Sequence, residues 1–104
     1  MKPVRIAGLA QAEVQESCAW YNEQSPGLGD RFLSALDLTF AAISRNPQMF
    51  QLVHEGTRRA LVRSFPYGVF FVVKERYIRI IAVVHLRRHP DTWKRRTTVH
   101  EVFE

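Results

Sequence analysis

A chain of 104 residues has the length of one domain, and 46% hydrophobic with 24% charged residues is the composition of a globular protein with its own core. No apolar run exceeds the five residues of Val69–Val73 or Ile80–Val84, which excludes a membrane-spanning helix, and a single cysteine, Cys18, excludes a disulfide framework. The net charge of +5 is uneven: residues 1–57 hold four Lys and Arg against six Asp and Glu, a net −2, while residues 58–104 hold eleven against four, a net +7.

Pro3–Ala7 reads as a short strand, with Val4 and Ile6 on one side and Arg5 on the other. The N-terminal MKPVRIAGLAQAE has no sustained apolar stretch, so no signal peptide is read and a cytoplasmic location is expected. From Ala10 the period becomes helical: Ala10, Val14, Cys18 and Tyr21 share a face, with Trp20 on its flank. Ser25-Pro26-Gly27 stops this helix, because proline cannot continue it and glycine permits a sharp turn. A second helix runs from about Leu28 to Arg45 on a broad apolar stripe of Leu28, Phe32, Ala35, Leu36, Phe40 and Ile43, and Asn46-Pro47 ends it. The short connection predicts an antiparallel helical hairpin whose apolar side needs a sheet to pack on.

Gln48–Thr57 reads as an irregular connection folded over the core edge. Arg58–Phe65 then alternates, with Ala60 and Val62 on one face and Arg59, Leu61, Arg63 and Phe65 on the other. Phe65-Pro66-Tyr67-Gly68 fits a type I turn. Gly68–Lys74 is apolar on both faces, as a central strand is, and Lys74-Glu75-Arg76 turns into a last strand from Ile78. There Ile78, Ile80, Ala82, Val84 and Leu86 alternate with Arg79, Ile81, Val83, His85 and Arg87, which predicts a core face and an open face cationic at both ends. Residues 88–96, containing Trp93, form a short helical turn that returns the indole to the body, and Thr97–Glu104 either extends it or frays. The order β-α-α-β-β-β is α+β: a helical hairpin on one face of a small twisted antiparallel sheet, in one domain over 1–104 with its core at about 3–96 and a tail at about 97–104.

Arg63, His85, Arg87 and Arg88 are the residues through which chemistry would come. Arginine's planar fork suits phosphate, and a histidine beside it is a general acid or base for cleavage at a ribose 2′-hydroxyl. The same residues also read as a strand-end histidine bonded locally, with the arginines paired to the acidic residues of the helices. His85 and His89 are four apart but straddle a strand end before Pro90, so they share no helical face, and no metal or cofactor is expected. No Gly-rich phosphate loop or nucleophile elbow is present, so no small-molecule substrate is read. Phe65, Tyr67 and Phe70 beside a basic sheet are either base-stacking platforms or packing.

A set of short segments in a fixed order carries a resemblance: Trp20-Tyr21, Gly27-Leu28-Gly29-Asp30-Arg31-Phe32, Asn46-Pro47, Arg58-Arg59, Arg63-Ser64-Phe65-Pro66-Tyr67 and His85-x-Arg87-Arg88-x-Pro90-x-x-Trp93. Over about residues 3–96 the chain resembles the ParE/RelE superfamily of toxins from bacterial type II toxin–antitoxin modules. The resemblance implies a toxin neutralised by a cognate antitoxin, whose segment folds on binding. RelE-like members cleave mRNA in the ribosomal A site, whereas ParE-like members poison DNA gyrase and are not thought to be enzymes. RelE-like ribonucleases usually carry an arginine just inside the central strand, where this chain has Gly68 in Tyr67-Gly68-Val69-Phe70-Phe71, and the C-terminal tyrosine that some members use is missing here. Both departures favour the ParE-like branch, with gyrase as the expected target and the ribosome with mRNA as the alternative. The expected contacts with target or antitoxin are Arg59, Arg63, Arg79, His85, Arg87, Arg88 and Trp93; in the ribonuclease alternative Arg63, His85, Arg87 and Arg88 are catalytic.

Overall fold

The computed structural model describes residues 1–96. The predicted tail over 97–104 lies outside the described residues. Strand β1 (Val4–Ile6) leads into helix α1 (Gly8–Gln24) and helix α2 (Leu28–Arg45). A 3-10 turn (Pro47–Met49) follows, then strands β2 (Gln51–His54), β3 (Thr57–Leu61), β4 (Tyr67–Val73) and β5 (Ile78–His85). The five strands form one sheet in the order β1-β5-β4-β3-β2, with both helices on one face. The α+β architecture with a helical hairpin on a sheet is as the sequence predicts.

The hairpin is locked where α1 and α2 meet. Gly27 takes the left-handed φ of 88° that turns the chain, and the Gly29 N–H donates to Asn22 Oδ1 at 2.8 Å. A Cβ on Gly29 would stand 2.4 Å from the Cys18 carbonyl oxygen, so only glycine allows this approach. The two helices contribute unequally. Phe32, Leu36 and Ile43 of α2 are fully buried, whereas α1 buries only Ala10 completely and rests Val14 and Tyr21 on the core margin. Trp20 stays 41% exposed.

Four features differ from the sequence reading, each for a local reason. First, the connection after α2 contains a strand, β2, which pairs antiparallel with β3 through a tight turn at Glu55-Gly56. Both turn residues have positive φ, 41° and 79°, as a type I′ hairpin requires. Second, the sheet is mixed: β1 runs parallel to β5, with Val4, Arg5 and Ile6 beside Ile78, Arg79 and Ile80. Third, β3 ends at Leu61 and the bend is Arg63–Pro66, with Ser64 at φ 70° and the Val62 N–H donating across to the Tyr67 carbonyl at 3.0 Å. Tyr67 and Gly68 therefore belong to β4, and Arg63 belongs to a loop and not to a strand face.

The fourth difference bears on function. Pairing of β4 with β5 slips between Phe71↔Ile80 and Phe70↔Ala82, leaving Ile81 as an extra residue. Such a bulge reverses the alternation beyond it. Ile78 and Ile80 face the helices as expected, but after the bulge Val83 does so, while Ala82 and Val84 join Phe70 and Trp93 on the opposite face. His85, paired in register with Tyr67, thus lies on the helix-bearing side, reversing the open-face placement read from simple alternation. The far face is not bare either. Trp93, 5% exposed, stacks on Phe70 with ring centroids 4.4 Å apart and planes 13° from parallel, and its indole N–H donates to the Pro90 carbonyl. The short turn carrying Trp93 back to the body is as predicted.

β1 covers β5 only as far as Ile80, and among the described residues no strand pairs with the outer edge of β5 beyond that point. Two side chains take its place. The Val83 N–H donates to Glu13 Oε1 at 3.1 Å, and Arg96 Nη1 donates to the Ile81 carbonyl at 3.0 Å. Arg96 and Glu13 also join each other in a forked pair at 2.8 and 2.9 Å, with about four-fifths of each side chain covered. Residues 86–96 therefore wrap the end of β5 and fasten to α1.

Candidate recognition surface

The chemistry-bearing residues collect where β5 leaves the sheet. Leu86–Arg88 form a turn tied at both ends: the Leu86 N–H donates to the Pro66 carbonyl at 2.9 Å, and the His89 N–H to the His85 carbonyl at 3.0 Å. Inside it, His85 Nδ1 accepts the backbone N–H of Arg87 at 3.2 Å and of Arg88 at 3.3 Å. A backbone N–H can only donate, so Nδ1 carries a lone pair and the neutral ring holds its proton on Nε2. The ring also packs edge-on against Tyr67, 5.4 Å between centroids. Partial burial, then the positive charges of Arg88, Arg87 and His89, push the His85 pKa below the ordinary imidazole value.

Arg88 points back across α1, its guanidinium 5.0 Å from the centre of the Trp20 ring, a cation–π contact that fixes the direction of the side chain. Arg87 is exposed. Between α1 and the end of β5 runs a groove of about 690 Å³ lined by Trp20, Tyr67, His85, Arg88 and, on the α1 wall, Glu16 and Glu23. Tyr67 closes its floor, donating from its hydroxyl to Ser17 Oγ at 2.9 Å. Burial and the neighbouring Tyr67 raise the Tyr21 pKa against the opposing pull of Arg88, so this phenol stays neutral.

His85, Arg87 and Arg88 are thus brought together, and Arg63 lies in the neighbouring loop whose Pro66 carbonyl holds Leu86. The other predicted contacts stand apart. Arg59 is on the far face of β3, opposite Phe70, with Nη2 3.4 Å from Gln51 Oε1. Arg79 is on the same far face beside Arg5, six residues back along β5 and about 20 Å from His85 by strand rise. Trp93 is buried on Phe70. Gly68 also faces that side, and a Cβ there would meet Leu86 Cδ2 at 2.9 Å and Phe70 Cε1 at 3.1 Å. A side chain at this position would press on the ends of the Leu86 and Phe70 side chains, which would have to shift. Trp20 as the platform for Arg88, and the pairing of Glu13 with Arg96, were missed by sequence reasoning. Trp20 beside the helical face was the available signal, whereas nothing in the sequence links positions 83 residues apart.

The hairpin-on-sheet architecture, with a basic turn at the end of the last strand, defines a class. It is the fold of a chain from the solved structure of the chromosomal ParDE toxin–antitoxin system of P. aeruginosa, with a TM-score of 0.73 at 15% identity over 82% of this chain and 96% of that one. No curated protein matches the sequence. The sequence profile of the ParE toxin of type II toxin–antitoxin system, parDE, matches residues 4–90. This chain belongs to the ParE toxin family, and its membership of a ParDE-type system implies an antitoxin partner. Among the described residues no helix is long and apolar enough to cross a membrane.

Proposed function

We propose that this toxin acts by protein contact on DNA gyrase, trapping the cleaved-DNA complex of that enzyme in the cytoplasm, and that a cognate antitoxin neutralises it through an acidic segment that covers the basic turn. The observation that carries the choice of gyrase over mRNA is the state of His85. Cleavage of RNA at a 2′-hydroxyl needs a base with a free lone pair and an acid with a proton to give. The one lone pair of His85 is held by two N–H groups of its own turn. Its lowered pKa keeps the ring neutral at physiological pH, so the proton on Nε2 belongs to a weakly acidic imidazole N–H and not to an imidazolium acid. Gly68 supports the same reading, since glycine supplies no guanidinium where a ribonuclease of this superfamily would place an arginine.

The test is a purified supercoiling assay. The toxin should inhibit gyrase and enrich linear, cleaved plasmid, and equimolar antitoxin should restore supercoiling. Undiminished supercoiling at a large excess of toxin over gyrase rejects the proposal.

A further inference from the structure

Resting on the reading of the basic turn as a target contact, we infer that His85 is a positioning residue for Arg87 and Arg88. Its Nδ1 holds the turn that presents both guanidinium groups, and target inhibition depends on that acceptor and not on any chemistry of the imidazole.

The geometry resembles a side-chain-to-backbone motif usually built by Asn, Asp or Ser, in which one acceptor takes the N–H groups two and three residues ahead. Here the acceptor is a ring nitrogen, at 3.2 and 3.3 Å from those two nitrogens. The ring is braced by Tyr67 of β4, so the acceptor is carried on the rigid end of the sheet. The second anchor is Trp20 of α1 under the Arg88 guanidinium. With both anchors in place the two arginines leave the protein from a turn of defined shape, which lowers the ordering cost of any contact they make. A ring nitrogen, unlike an amide oxygen, loses its acceptor on protonation, so the turn is released by acid. The charged and titratable groups around the ring are Arg87, Arg88 and His89 of its own segment, Tyr67 of β4, and Glu16, Glu23 and the Glu13–Arg96 pair along the α1 wall of the groove. The cations nearest the ring oppose its protonation, so release sets in only below the ordinary imidazole pKa of 6.5.

H85A and H85N separate positioning from chemistry. Asn restores an oxygen acceptor within reach of both N–H groups but has no acid–base function near neutrality. Two lost hydrogen bonds predict roughly tenfold weaker gyrase inhibition for H85A, with most of the potency restored in H85N. Amide hydrogen exchange and imidazole nitrogen shifts, read on the folded proteins without any target, complete the test. The wild type should show a proton on Nε2 and protected Arg87 and Arg88 amides. Those amide signals should titrate with the ring in the wild type and stay flat in H85N. Protected amides and full potency in H85A overturn the inference, as does an H85N variant with protected amides but no restored potency. If H85A loses protection yet inhibits fully, the reading of Arg87 and Arg88 as contacts has failed. If the wild type leaves gyrase untouched, the target reading has failed, and the same variants are scored by growth arrest on induction.

Discussion

Removing either member of the Glu13–Arg96 pair should destabilise the fold by about 2 kcal/mol. A fully buried pair that loses one partner costs ~3–5 kcal/mol and a solvent-exposed pair less than about 1. Arg96 and Glu13 retain only 17% and 21% of their side-chain exposure, so the pair falls between these limits. Each also serves the backbone of β5, so Arg96→Ala leaves the Ile81 carbonyl without Nη1, and Glu13→Ala leaves the Val83 N–H without its acceptor. For a domain of this size about 2 kcal/mol corresponds to a fall in Tm of roughly 10 °C. Urea unfolding of both single variants and the double variant gives the coupling energy directly, expected at about 1–2 kcal/mol. Glu13→Gln should lie between wild type and Glu13→Ala, because the amide oxygen still accepts from Val83. Single variants within about 0.5 kcal/mol of wild type, with additive effects, would show that the end of β5 needs no clamp.

Three other perturbations probe the rest of the frame. Gly29→Ala forces a methyl against the Cys18 carbonyl and should cost about 3 kcal/mol by prising the helices apart, read as a lower urea midpoint; a neutral effect would mean the hairpin is not locked there. Trp93→Ala removes the ring stacked on Phe70 and should cost about 3 kcal/mol, with loss of the near-ultraviolet circular dichroism of the buried indole; an unchanged midpoint would place Trp93 outside the core. The folded-state pKa of His85 is depressed, so the unfolded chain binds the proton more readily. Stability from this residue is therefore complete above the unfolded value of 6.5 and is lost as pH falls from there toward the folded pKa. The urea midpoint of wild type should drop relative to H85N over that window, and parallel pH curves would contradict the assignment.

Much of the frame was legible because it rests on local chemistry. Proline and glycine at 26–29 and Asn46-Pro47 bound two helices, and the α2 stripe buries Phe32, Leu36 and Ile43 as its period implies. What was illegible depended on contacts distant in sequence or on unusual turn residues. Glu55-Gly56 lacks the Asn or Asp that normally marks a type I′ turn, so β2 read as loop. Ile80–Val84 is apolar at every position, so its alternation cannot reveal that Ile81 is a bulge and that His85 changes face. The basic turn was legible as composition, but not its order: two hydrogen bonds to Nδ1 and the stacking of Arg88 on Trp20 arise only when α1 and β5 are side by side. The proposed role of His85 as a support, in place of a catalytic base, rests on that order.

The most direct measurement sets one preparation of this toxin against purified gyrase and against a purified translation system in parallel. Inhibited supercoiling with accumulated linear plasmid, alongside intact mRNA and normal protein synthesis, is the predicted result. Cleavage of mRNA at the ribosomal A site with gyrase unaffected would contradict it, and would require His85 Nδ1 to be free for proton transfer.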